Sequence, residues 1–279
     1  MSKNLLKGFV QMDNYHLIVK EVKQIFKNAY TLYMKKPAKV LEHKSVNDLL
    51  TDVDINISNF LINELKSKFK TCNVISEEND DKIKNQYFHD TFVIDPLDGT
   101  CNFATNNSLY GLQLAYYFNN ECVVSCLYLP IYDEYYYAIK NQGAYLNDQK
   151  IVVNKNTNTS DGVLGLSDFY FNHPYHIDKQ FKIVKALQKT FLKTRLFGAA
   201  CIDFTYLATS KINTYICYYY HIWDIDPGLL LATEAGCVYQ KTIFENKEGE
   251  DYIQLIVSNN QENLDKVLNV VGIINNEYN

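Results

Sequence analysis

No run of apolar residues in this sequence approaches the roughly 20 needed to cross a bilayer, so no membrane-spanning helix is expected. Residues 1–13 lack the basic, apolar, small-residue order of a secretory leader, and the expected location is cytoplasmic. Lys and Arg form no dense run and the formal net charge is -5, which argues against a general nucleic-acid binder. The 7 cysteines are scattered without a CxxC pair and are expected to be reduced and mostly buried. Cys122 and Cys126, four apart in an apolar run, should share one face of a strand, too far apart to bridge. Cys217 and His221 have no second pair to complete a metal site. A Gly-rich nucleotide loop is missing, as is a basic groove, so a kinase or nuclease is not indicated.

With 279 residues, 47% hydrophobic and 21% charged, the chain can bury a sizeable core. Apolar spacing predicts helices over 13–34, 53–69, 177–190, 200–209, 227–235 and 262–271. Strands are expected at 73–76, 91–94, 112–118, 122–128, 135–139 and 143–146, then at 163–166, 215–219, 238–239 and 253–257. Residues 35–48 read as a mobile loop or hairpin. Helices and strands interleave around a hairpin-rich centre, an α/β (α+β) pattern of mixed sheets layered with helices. A polar stretch at 147–161 divides the chain into halves 1–150 and 151–279 of one compact catalytic unit.

Asp54, Glu77, Asp95, Asp98 and Asp224 all stand at the ends of predicted elements. Carboxylates that follow apolar strands gather at one sheet edge, and a cluster of them repels itself unless cations are present. Hard oxygen donors with few histidines and no thiolate pairs select magnesium or manganese over zinc. The sharpest signal is Asp95-Pro96-Leu97-Asp98-Gly99-Thr100. Two carboxylates three residues apart around a proline turn can hold two metals, with the Leu97 carbonyl as a further donor. Gly99 permits close approach to a ligand, and Thr100 can open a helix whose free N–H groups face a phosphate. Phosphatases of the haloacid dehalogenase type use Asp-x-Asp-Gly-Thr, but Pro96 fills the nucleophile position here, which excludes that mechanism.

Residues Asp95 to Phe103 resemble the first signature of the inositol monophosphatase family. Trp223-Asp224-Ile225-Asp226-Pro227-Gly228, followed by Leu231 and Glu234-Ala235-Gly236, resembles the second. Thr51-Asp52-Val53-Asp54 and Ser76-Glu77-Glu78 are similar to two smaller motifs, and all four stand in order over 44–237.

The resemblance implies a layered α-β-α-β-α sandwich of the inositol monophosphatase and fructose bisphosphatase type, and a homodimer. It also implies Mg2+ as cofactor, two to three ions. Glu77, Asp95 and the Leu97 carbonyl would hold the first, Asp95, Asp98 and Asp224 the second, and Glu77 with Asp54 nearby the third. A metal-activated water would then hydrolyse a small phosphorylated metabolite without a covalent intermediate. In that reaction Glu77 and Thr100, backed by Asp54, act on the water while Gly99 and Thr100 hold the phosphate.

Ala199 falls in a turn resembling one beside the substrate, with Asp203 expected to cap or brace it. His221 is a candidate substrate contact, Trp223 a packing residue, and Lys44 and Ser45 candidates for a loop closing over the metals. Cys101-Asn102-Phe103 favours a simple sugar or polyol phosphate. Cys217 stands where inositol-tuned enzymes carry an acidic contact to substrate hydroxyls, a loss worth roughly 1.5–3 kcal/mol. The expected activity is thus inositol-1-monophosphatase-like but broad. Fructose 1,6-bisphosphate, NADP and 3′-phosphoadenosine 5′-phosphate are alternative substrates, and a non-catalytic binding relative is the other reading. The resembled family is lithium-sensitive. Asp226-Pro227 departs from its usual Ala-Ala, which shifts the expected helix start.

Overall fold

The computed structural model describes residues 3–35, 38–45, 48–79, 88–169, 174–219, 221–244 and 252–277. Helix α1 (Lys3–Tyr33) and helix α2 (Asp52–Lys68) pack together as an outer layer. Between them in the chain, β1 (Val40–Ser45) and β2 (Asp48–Thr51) form an antiparallel hairpin, the ordered form of the expected loop. Thr51 caps α2 by accepting the Val53 N–H, while Asp54 reaches back to the Thr51 N–H, a reciprocal capping box. Val53, Ile57, Leu61 and Leu65 recur at fourfold spacing and are buried toward the sheet.

The second layer is a seven-stranded sheet, β3 (Asn73–Ser76), β4 (Thr91–Asp98), β5 (Gly111–Phe118), β6 (Glu121–Leu129), β7 (Glu134–Ile139), β8 (Gly143–Leu146) and β9 (Gln149–Ile151), in that order. Only β3 and β4 are parallel; the rest is the meander expected from the sequence. Every residue of β4 is buried, which is why Phe92, Val93 and Ile94 stand as a continuous apolar run and not an alternating one. Its pairing with β5 is interrupted between Asp95 and Asp98, where Pro96 has no N–H to donate, and α3 (Thr100–Ala104) follows at once.

A second irregularity corrects the reading of Cys122 and Cys126. Tyr116 pairs with Val124 but Tyr117 with Cys122, so Val123 is an inserted bulge residue. The insertion reverses the alternation: Cys126 packs under α1 and α2, whereas Cys122 packs with Ile75, Val93, Ala115 and Tyr117. All seven cysteines are free, and only Cys101 is exposed.

Downstream come β10 (Val163–Leu166), α4 (Pro174–Leu187), β11 (Lys193–Leu196), α5 (Ala200–Ala208), β12 (Thr214–Cys217) and α6 (Ile222–Glu234). Strands β13 (Val238–Phe244) and β14 (Tyr252–Ser258) and helix α7 (Gln261–Glu277) complete the described fold. The second sheet runs β11-β10-β12-β14-β13, with β10, β11 and β12 parallel. Helices α5 and α6 lie between the two sheets, and α4 and α7 cover the far face of the second. The layers are therefore α-β-α-β-α, as the resemblance implied. No helix among the described residues is long and apolar enough to cross a membrane.

Helix α6 does not start at Pro227. The His221 carbonyl accepts the N–H groups of Asp224 and Ile225, so the helix opens at Ile222 with the proline inside it. Pro227 forfeits one intrahelical bond there but holds a compatible φ. Gly228 fixes the contact with α5: a Cβ on it would lie 2.1 Å from the Phe204 ring.

Candidate active site

Three elements deliver the central carboxylates. Glu77 opens a single 3₁₀ turn after β3, Asp95 lies within β4, and Asp224 sits in the first turn of α6. One oxygen from each lies within 4.8 Å of the others. Asp95 is only 2% exposed. Its Oδ1 accepts the Leu97 N–H at 3.0 Å, and its Oδ2 takes a long bond from Gln113 Nε2 at 3.4 Å. Burial, reinforced by the charges of Glu77, Asp98 and Asp224, pushes the Asp95 carboxyl well above its ordinary range. Such a trio is compatible with ionisation once a cation lies among its oxygens, and an all-oxygen donor set with no nitrogen or sulfur suits magnesium.

Asp98 adjoins this trio but is not one of the three. It is buried, and its two oxygens accept the Ala200 and Cys201 N–H groups that open α5. Ala199 has no side chain able to cap that helix, so Asp98 meets the free N–H groups from another strand. Those bonds occupy two of about four lone-pair positions and leave the others for a metal. Burial raises the Asp98 carboxyl above its usual value, opposed by the bonds from Cys201 and Ala200.

Asp54 and Thr100 meet as expected. Thr100 Oγ1 lies 2.8 Å from Asp54 Oδ1 and 3.0 Å from the Leu97 carbonyl, two acceptors for its one proton. Asp54 is buried, and burial outweighs the bonds from Thr51 and Thr100 to raise its carboxyl. Gly99 adopts φ +86, and a Cβ there would lie 2.9 Å from both Ala199 Cβ and the Leu109 carbonyl. Ala199 is buried against Gly99, so it shapes the floor under the turn.

The other candidate residues have different surroundings. The Cys217 side chain is fully buried, its thiol donates to the Tyr219 carbonyl at 3.1 Å, and burial pushes its pKa up to about 12. A thiol so enclosed presents no surface to a substrate hydroxyl. Asp203 does not take the first N–H groups of α5, which Asp98 accepts; it is 1% exposed, its Oδ1 has no hydrogen-bond partner among the described residues, and burial holds its carboxyl well above the usual range. His221 is exposed and its ring stacks on Trp223 at 5.1 Å and 6°, while Trp223 packs against Ile75 and Val93. Lys44 and Ser45 belong to the paired strand β1; their side chains lie outside the described residues.

Two residues brace the site without having been expected to: Gln113 had no sequence signal, and Asn102 was read only as part of the first signature. Gln113 orients Asp95 from the neighbouring strand. Asn102 Nδ2 donates to the Leu109 and Phe197 carbonyls, each at 2.7 Å, and so ties α3 to the turn before α5. A lone polar residue within an apolar strand or short helix has no spacing to mark it.

Five alternating layers, with a nest of oxygen donors where β4 meets α6, define a class of fold and site. This chain belongs to the inositol monophosphatase family, whose model matches residues 12–274. It is 31% identical over 223 residues to a Dictyostelium discoideum inositol monophosphatase, covering 79% of this chain and 80% of that one. A Vibrio cholerae protein named Nus factor SuhB is 30% identical over 211 residues, 76% of this chain and 77% of that one. The fold is similar to the solved structure of a Thermotoga maritima IMPase, with TM-score 0.77 and 23% identity, covering 96% of this chain and 100% of that chain.

Proposed function

We propose that this chain hydrolyses phosphate monoesters of a small soluble metabolite, with an inositol-1-phosphate-like substrate and magnesium as cofactor. The observation that carries this reading is the convergence of Glu77, Asp95 and Asp224 within 4.8 Å, beside a Thr100 already bonded to Asp54. Glu77, Asp95, Asp224 and the Leu97 carbonyl, with the free lone pairs of Asp98, are the donors for the ions. Magnesium, when bound, supplies a Lewis acid that polarises the phosphoryl group and acidifies water.

The chain's own groups do the rest. Asp54 takes the Thr100 proton in a hydrogen bond, which turns the Thr100 lone pairs toward an attacking water. Thr100 accepts from that water, and Glu77 or Asp54 takes the proton as the water oxygen bonds to phosphorus. The ester P–O bond breaks, and the departing alkoxide takes a proton from solvent. The Gly99 and Thr100 N–H groups face the phosphate where charge develops. No side chain forms a covalent bond to phosphorus.

The buried Cys217 brings no charged contact to a substrate hydroxyl, which supports a broad choice among polyol, sugar and nucleotide phosphates. The resemblance also supports a homodimer, which sedimentation velocity checks. The decisive test is phosphate release from a panel of small esters, in magnesium and then in chelator. Release that stops on chelation is expected. If magnesium binds but no ester is cleaved, the chain is a binding relative and not an enzyme.

A further inference from the structure

Beyond the metal ligands, α6 carries an acid that the reaction does not use. Asp226 stands two residues after Asp224, and its carboxylate accepts the phenolic proton of Tyr117 on β5. Tyr117 is 5% exposed and lies on the face of β5 that packs against α6. The same face carries Gln113, four residues back along the strand, which donates to Asp95. Cys122 on β6 lies beside the Asp226 carbonyl, at 4.0 Å from sulfur to oxygen. Lys241 on β13 is near enough for the Asp226 charge to act on it, although burial dominates and lowers its pKa.

One strand of the first sheet thus holds two sides of the site. Gln113 fixes Asp95 directly, and Tyr117 fixes the helix that bears Asp224. The hold falls where α6 needs one, because Pro227 removes the intrahelical bond to the Trp223 carbonyl. At the opposite end, Glu234 accepts the Asn141 and Gly143 N–H groups at 2.7 and 2.8 Å, which anchors the helix C-terminus to the β7–β8 turn. Turning α6 about that distant anchor would carry Asp224 away from Glu77 and Asp95, and the Tyr117–Asp226 bond opposes that turn.

We propose that Tyr117 and Asp226 are a positioning pair that sets the place of the Asp224 carboxylate and thereby the affinity of the site for divalent metal. This rests on the metal-dependent reading of the site above. Removing an outer partner of a metal ligand typically costs about 10–100-fold in metal affinity.

The test measures Mn2+ binding to the full chain by electron paramagnetic resonance, without substrate, alongside thermal unfolding. Tyr117→Phe and Asp226→Ala should each weaken Mn2+ binding by about tenfold. The double variant should be no weaker than either alone, because each single change already breaks the bond the two share. Asp226→Asn keeps an acceptor oxygen for the Tyr117 hydroxyl and should bind nearly as wild type. Glu234→Ala loosens the far anchor and should lower the melting temperature with little change in metal affinity. Unchanged Mn2+ affinity in Tyr117→Phe, additive losses in the double variant, or an equal loss in Glu234→Ala would each overturn the proposal. A wild-type chain that binds Mn2+ yet cleaves no ester overturns the phosphatase reading alone, because the Mn2+ measurement still decides the role of the pair.

Discussion

The Thr100 hydroxyl lies 2.8 Å from Asp54 Oδ1, joining a residue that opens α3 to one in the first turn of α2. The other Asp54 oxygen accepts the Thr51 N–H at 2.8 Å. One buried carboxylate therefore caps a helix and orients a hydroxyl beside the metal ligands. The two roles separate by substitution. Asp54→Asn retains an oxygen for the cap, but its amide nitrogen cannot accept the Thr100 proton. Turnover should fall by about 100-fold or more, the scale of a lost proton-transfer partner, with little change in melting temperature. Asp54→Ala should lose the same activity and, in addition, about 1 kcal/mol of stability with the cap. Phosphate-release kinetics and thermal unfolding on both variants check this. Full activity in Asp54→Asn would remove Thr100 and Asp54 from the mechanism.

Metal-free protein should lose stability as pH rises. The Asp95 carboxyl is held above its ordinary 3.8 by burial and by its acidic neighbours. Between 3.8 and its raised value, folded protein keeps a proton that the unfolded chain has released, so stability falls through that window. Asp54, Asp98 and Asp203 are raised as well and act in the same direction. Magnesium favours the ionised carboxylates and should flatten or reverse the slope. Asp95→Asn should abolish turnover, leave the fold intact, and reduce the slope in chelator. Melting temperatures across pH 4 to 8, in chelator and in magnesium, measure all three. A chelator curve that rises with pH over the whole range would contradict the buried, charge-crowded site.

The sequence made the central carboxylates legible because each lies in an ordered motif beside an apolar run. Asp95 sits against Val93 and Ile94, and Glu77 follows Ile75 and Ser76. What stayed hidden has physical causes. The strand Lys193–Leu196 is a short edge strand, paired on one side only and largely exposed, so it lacks a hydrophobic pattern. Pro227 looked like a helix start because proline favours the first turn, whereas the His221 carbonyl opened α6 earlier. The bulge at Val123 has no signature residue, and its one-residue slip put Cys122 and Cys126 on opposite faces. Asp203 looked like a cap or brace by its place near a helix start, yet the first N–H groups of that helix are taken by Asp98.

Lithium should inhibit the metal-loaded enzyme at high millimolar concentration by occupying the place of the second ion, which the resemblance assigns to Asp95, Asp98 and Asp224. The expectation comes from family membership together with the proximity of Asp224 to Asp95. Turnover measured against lithium at fixed magnesium tests it, with potassium at equal ionic strength as the control. Undiminished turnover would count against that assignment of the second ion and leave the fold untouched.

Gly99→Ala should damage both stability and activity, for reasons that can be separated. The backbone at Gly99 has φ +86, a conformation that costs an L-residue about 1–2 kcal/mol. The added methyl would also sit 2.9 Å from Ala199 Cβ and from the Leu109 carbonyl, an overpacking worth about 1–3 kcal/mol. Adding Ala199→Gly relieves only the first contact, because the Leu109 carbonyl is backbone and the φ is unchanged. The double variant should therefore recover part of the lost stability while its turnover stays low, since α3 and Thr100 remain displaced from Asp54. Denaturant unfolding and phosphate release on the single and double variants give the comparison. Full recovery of activity in the double variant would mean that the Ala199 contact alone fixes the turn, and that the left-handed backbone at Gly99 plays no part in placing Thr100.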